Sequence, residues 1–166
     1  IGKLCQTSYS KKSFNNKYGV PISLFNINKE DKIGIFEVGM DKKGEIDFLT
    51  KKIIPNIGVI TNISYAHIKN FKNLWGVAQA KSEIINNISK DGYIILNADD
   101  NFFSFFKSKS KKKKLKIITF GIKKKSDVSL INIKKKKSFS VIHINCNKKK
   151  LKFIVEKNLE NYIYNI

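Results

Sequence analysis

The chain has 166 residues, 42% of them hydrophobic, which suits one domain with a packed core and excludes a disordered polycation. Its net charge of +20 comes from lysine without any arginine, so it lacks the planar fork that reads guanine and phosphate bidentately; the charge reads as solvated surface, not as a nucleic-acid site. The longest apolar runs fall far short of the ~20 residues that span a bilayer, no signal peptide is visible, and Cys5 and Cys146 show neither disulfide nor zinc spacing, so a cytoplasmic chain with reduced thiols is expected.

In chain order, Gly19 and Pro21 predict a turn and then a helix starting near Val20. "IGIFEVG" from Ile33 reads as a buried strand, "EIDFLTKKI" from Glu45 as a helix and "NIGVITNI" from Asn56 as a second strand. "LWGVAQAKSEIINNI" from Leu74 carries apolar residues at helical spacing, "GYIILNADD" from Gly92 is a strand ending in an acidic turn, and "KIITFG" from Lys116 is a further strand. This alternation predicts right-handed βαβ units, with the strands near Ile33, Asn56, Tyr93 and Lys116 in one parallel sheet flanked by helices. After Gly121 the pattern changes: "DVSLINI", "SFSVIHIN" and "KKLKFIV" alternate side chains in and out, as in an appended antiparallel meander. The expected division is therefore an α/β body over 1–121 and a meander with the start of a helix over 122–166, both parts of one domain. The lysine runs at 107–114 and 134–137 are expected in exposed turns.

Ligands of an open parallel sheet gather at the carboxyl ends of its strands. Glu37, Asn62, His67 and Lys81 all stand at such ends or on the helices that follow. A carboxylate and an imidazole can each offer an electron pair to a divalent cation, whereas a lysine ammonium cannot. Lys81 can enter such a site by binding phosphate, or as a neutral amine that reacts with carbon dioxide to give a carbamate. Each residue alone has an ordinary structural explanation: a cap or ion pair for Glu37, a packed ring for His67, a solvated helix face for Lys81.

Five blocks in order change that balance. "SFNNKYGVPISLF" (13–25), "IGIFEVGMDKKGEI" (33–46), "GVITNISYAHIKNF" (58–71), "GVAQAKSEII" (76–85) and "ILNADD" (95–100) resemble the central domain of the Mur ligase superfamily. The "NNxxGVP" block most resembles the member that joins D-alanyl-D-alanine to UDP-N-acetylmuramoyl tripeptide, ahead of the sister ligases and of folylpolyglutamate synthase. The resemblance implies a P-loop-type α/β domain and an ATP-dependent, Mg2+-dependent amide ligase of peptidoglycan synthesis working through an acyl phosphate. Glu37 would hold a magnesium on the ATP phosphates, and His67 with a carbamylated Lys81 would place a second one. Asn15, Asn16 and Asn62 would face the nucleotide-sugar peptide. No nucleic acid, no stable membrane insertion and a monomeric full-length enzyme go with that reading. The rival is a basic nucleic-acid-binding module built on the lysine-rich meander, which the lack of interleaved aromatics on the basic runs disfavours.

The departures from the family pattern carry expectations too. A P-loop needs Gly-x4-Gly-Lys-Ser/Thr, and Gly2 with Lys3 does not supply it. "NLENYIYNI" puts Asn161 and Tyr162 where the family has histidine and asparagine, so no adenine contact is carried over. The chain is accordingly expected to be a piece of a longer ligase, inactive in isolation. Asp99 and Asp100 of "NADD" are read as a strand-ending turn and not as catalytic groups.

Overall fold

The computed structural model describes residues 2, 4–65 and 70–156. It is a mixed α/β structure with a mostly parallel sheet, helices and a run of antiparallel strands, and it divides into two compact units, Ile1–Asn56 with Ser64–Ser89 and Ile57–Ile63 with Lys90–Ile166.

The first unit contains two short parallel strands, β1 (Thr7–Tyr9) and β2 (Ile33–Ile35), with Thr7 opposite Ile33 and Tyr9 opposite Ile35. Helix α1 (Gly19–Phe25) lies between them in sequence, and α2 (Glu45–Ile53), α3 (Leu74–Lys81) and α4 (Ile84–Asn87) follow. The spacing of Ile46, Leu49 and Thr50 puts three buried residues on one face of α2, which packs against α1, α3 and α4. From α3, Val77, Ala78 and Ala80 are buried, and the small side chains let neighbouring backbone come close. Val20, Met40, Ile85 and Ile88 complete this core.

The second unit is built on a six-stranded sheet in the order β3 (Ile57–Ile60), β4 (Tyr93–Asn97), β5 (Lys116–Gly121), β6 (Val128–Lys135), β7 (Phe139–Cys146) and β8 (Lys149–Glu156). β3 through β6 pair in parallel, and β6, β7 and β8 form the expected antiparallel meander. Helix α5 (Phe103–Lys112) connects β4 to β5 and packs on both; Phe106 of the helix and Ile94 and Leu96 of β4 are buried.

Three expectations need correction. The strand at Ile33 is neither buried nor part of the sheet of β3, β4 and β5: its three residues are exposed and pair with β1, a strand whose three residues are too few to show an alternation. The helix from Leu74 breaks at Ser82 and Glu83 into α3 and α4. The lysine run at 107–114 is not a turn, because Lys107 to Lys112 lie on α5. Its three aromatics, Phe103, Phe105 and Phe106, supply an apolar face, and Lys109, Lys111 and Lys112 occupy the last turn, where cations oppose the negative end of the helix dipole. The helix then stops in a Schellman motif: the Leu115 N–H donates to the Ser110 carbonyl at 3.1 Å and the Lys114 N–H to that of Lys111 at 2.9 Å. Lys114 takes the left-handed position (φ 58°) that glycine usually fills. In the second run, Lys134 and Lys135 belong to β6, and Lys136 and Lys137 to the exposed turn beyond it.

Candidate active site

The "NNxxG" segment holds itself together by close approach. The Asn16 side-chain oxygen accepts the N–H groups of Tyr18 (3.0 Å) and Gly19 (2.9 Å), and its carbonyl accepts that of Val20 (3.0 Å), so Asn16 shapes the entry to α1. Gly19 is there because a Cβ would stand 2.5 Å from the Phe14 Cα. Pro21 falls in the first turn, where a helix does not use its N–H groups.

Asn15 points the other way, toward the segment after β2. Its amide nitrogen donates to Glu37 Oε1 at 2.8 Å, and its carbonyl accepts the Gly39 N–H at 2.7 Å. A Cβ on Gly39 would meet the Asn15 Cγ at 2.9 Å, so only glycine lets the two segments lie this close. Since a carboxylate only accepts, the bond fixes which end of the Asn15 amide faces Glu37. Glu37 itself stands two residues past β2 and is exposed, a hard oxygen donor held by one oxygen.

Beyond it, the Glu45 carboxylate accepts the N–H groups of Asp41 (2.6 Å) and Lys42 (2.9 Å), which hold it below the usual carboxylate range. Gly44, at φ 92°, precedes α2 and has no side chain with which to cap it. The cap comes from a distant residue: Glu83, only 8% exposed, accepts the Gly44 N–H at 2.8 Å and the Asp47 N–H at 3.1 Å. Asn87 reinforces the same junction through Asp47 Oδ1 (2.8 Å) and Thr50 Oγ1 (2.9 Å). Lys81 is the half-buried last residue of α3, two positions before Glu83. Glu83 went unnoticed in the sequence; its signal was a helix start at Glu45 lacking a capping side chain.

In the second unit, Asn62 is exposed two residues past β3, at a strand's carboxyl end as expected. "NADD" is an organising centre for strand ends. Asn97 donates to the Thr61 carbonyl at 2.9 Å, and the Asp100 carboxylate accepts the N–H groups of Ile63 and Phe102, both at 2.7 Å. The Asp99 carboxylate accepts three successive N–H groups, from Ile122 (2.6 Å), Lys123 (3.0 Å) and Lys124 (2.8 Å). Both aspartates thus tie strand-end and turn backbone together.

Of the residues singled out from sequence, then, a hydrogen bond joins Asn15 to Glu37; Asn16 serves α1, Lys81 ends α3, and Asn62 belongs to the other unit. His67, Asn161 and Tyr162 lie outside the described residues. Among the described residues no three His, Cys, Asp or Glu side chains gather as a ready metal cage. Cys5 and Cys146 are free thiols, and the second histidine, His143, sits on β7 against Asn132 at 2.7 Å.

A family model for the Mur ligase middle domain matches residues 1–166. The chain belongs to the Mur ligase middle-domain family. It is 42% identical over 125 residues to the UDP-N-acetylmuramoyl-tripeptide--D-alanyl-D-alanine ligase of Buchnera aphidicola subsp. Baizongia pistaciae, a match covering 75% of this chain and 27% of that protein. Its fold superposes on MurF from Acinetobacter baumannii with a TM-score of 0.90 at 27% identity, covering 99% of this chain and 35% of the other. MurF from Thermotoga maritima, solved in complex with ADP, shares the fold with a TM-score of 0.81 at 20% identity, over 92% of this chain and 35% of the other. The chain thus spans between a quarter and about a third of the length of these Mur ligase relatives. Among the described residues, no helix is long and apolar enough to cross a membrane.

Proposed function

We propose that this Mur ligase middle domain serves an ATP-dependent ligase that joins D-alanyl-D-alanine to UDP-N-acetylmuramoyl tripeptide. The observation that carries the reading is the Asn15–Glu37 hydrogen bond, which brings together two residues of the NNxxG and FEVG blocks and steadies an exposed carboxylate. Magnesium is commonly held by one or two carboxylates plus substrate phosphates, and Glu37 fits that need. Bound there, Mg2+ would offset the negative charge that spreads over the γ-phosphoryl oxygens.

Glu37 would hold the magnesium on the ATP phosphates, and the Asn15 hydrogen bond keeps its carboxylate aimed. Lys81 meets a second magnesium only as a carbamate: the neutral Nζ bonds to the carbon of carbon dioxide, its displaced proton goes to water, and the two new oxygens become donors. His67 would offer a further donor to that magnesium. The amide nitrogen of Asn16 faces the nucleotide-sugar peptide. The tripeptide carboxylate takes the γ-phosphoryl group of ATP, releasing ADP; the D-alanyl-D-alanine amine then attacks the acyl phosphate, phosphate leaves and the amide forms. The reading places the enzyme in the cytoplasm, as a monomer without nucleic acid as a partner, with 1–121 and 122–166 both parts of the central domain.

The test is turnover of the full-length protein with Lys81→Ala and His67→Ala. Each variant should keep its fold and lose about 100-fold or more in kcat, the size expected when a charge-stabilising group is removed. Normal turnover of both at saturating ATP and magnesium would refute the assignment.

A further inference from the structure

We infer that Glu83 is a positioning residue, setting where Lys81 stands relative to the segment that carries Glu37; the inference rests on the ligase reading above. A buried carboxylate is costly unless it is hydrogen-bonded, and Glu83 meets that cost by accepting two N–H groups at the positive end of α2. A local Ser, Thr, Asp or Asn cap is the ordinary solution at a helix start. Here the position before α2 is Gly44, and the acceptor comes from 39 residues further along the chain.

Both ends of this tie are stiff. On one side, Ser82 donates to the Gln79 carbonyl at 2.6 Å and the Glu83 N–H to that of Ala80 at 3.0 Å, so the peptide from Lys81 to Glu83 continues the last turn of α3. On the other, the segment from Glu37 to Gly44 is fastened at Glu37 and Gly39 by Asn15 and at Asp41 and Lys42 by Glu45. A displacement at Gly44 therefore has little slack in which to be absorbed before it reaches Glu37. Glu83 links the two segments through contiguous hydrogen bonds, the kind of network that carries positional coupling.

Glu83→Gln in the full-length protein tests this, because the amide keeps one acceptor oxygen and loses the second. Mn2+ binding, titrated by electron paramagnetic resonance with a non-hydrolysable ATP analogue and no turnover, should weaken about tenfold, and kcat should fall by a similar factor while KM for D-alanyl-D-alanine stays within about twofold. Asn87→Ala removes other bonds to α2 and serves as the control: it should lower Tm without altering Mn2+ affinity. If Glu83→Gln does not fold, Glu83→Asp is read by the same two assays. Unchanged Mn2+ affinity in the Glu83 variant, or an equal loss in Asn87→Ala, would overturn the inference by showing a purely structural role. If Lys81→Ala also retains normal turnover, it is the ligase reading that fails.

Discussion

The two units use their carboxylates differently. In the second, Asp99, Asp100 and Asp127 accept backbone or hydroxyl hydrogens: Asp99 from the turn after β5, Asp100 from the segment after β3, and Asp127 from the N–H (2.8 Å) and Oγ1 (2.7 Å) of Thr119. In the first, Glu45 and Glu83 do the same work around α2, but Glu37 meets a single side-chain donor and remains exposed. Lysines outnumber carboxylates by 33 to 13, and Lys51 pairs with Asp47 (2.7 Å), yet an exposed pair of this kind contributes at most about 0.5 kcal/mol. Backbone N–H groups fix a carboxylate's position far better. Glu37, with no backbone N–H on its carboxylate, keeps a face open to solvent, which is what the proposed metal role requires.

The contrast can be broken most severely at Asp99. Asp99→Ala strands three N–H groups of the β5–β6 turn and should cost about 3 kcal/mol by denaturant unfolding, whereas Glu37→Ala should cost less than about 0.5 kcal/mol. Equal losses would erase the distinction between a structural and a functional carboxylate. Next in size, Gly19→Ala forces a Cβ against Phe14 backbone and should lower stability by about 2 kcal/mol, more than Gly39→Ala, where the obstacle is the Asn15 side chain. Gly39→Ala should instead impair turnover by displacing Asn15 from Glu37.

Acid sharpens the comparison further. Hydrogen bonds hold Asp31 (from the Ser8 hydroxyl, then the Asn28 N–H), Glu45 and Asp127 (from Thr119) below their ordinary range. A depressed folded-state pKa contributes stability that is present above the unfolded value and disappears as pH falls through the folded one. Unfolding free energy should therefore hold steady from neutrality to about pH 5 and decline below about pH 4, and Asp127→Asn should flatten part of that decline. The smallest effect is a gain. Ile54 closes α2 at φ 49°, a poor position for a β-branched side chain, and Ile54→Gly should raise stability by about 1 kcal/mol, as should Lys114→Gly at the end of α5.

How much of this the sequence revealed depended on the range of the interaction. β4, β5 and the meander were legible because alternating or continuous apolar runs encode burial locally, and α2 because Ile46, Leu49 and Thr50 repeat at helical spacing. α5 was hidden by its own lysines, which mask an aromatic face; β1 was hidden by its length. Glu37 and Asn62, read as strand-end residues, stand two residues past β2 and β3, because both strands are shorter than their apolar runs. The Asn15–Glu37 bond spans 22 residues and the Glu83–Gly44 bond 39, and no local pattern encodes such a pairing. What could be read was the glycine: Gly39 marks the close approach to Asn15, and Gly19 the one to the Phe14 backbone.

The most direct measurement of the central proposal, that Glu37 holds the metal end of ATP, is the burst of ADP formed in a single turnover of the full-length protein with UDP-N-acetylmuramoyl tripeptide and no D-alanyl-D-alanine. Glu37→Gln should slow that burst about 100-fold while leaving unfolding unchanged, and Asn15→Ala should slow it by a smaller factor that excess magnesium partly restores. A Glu37→Gln burst at the unaltered rate would contradict the account.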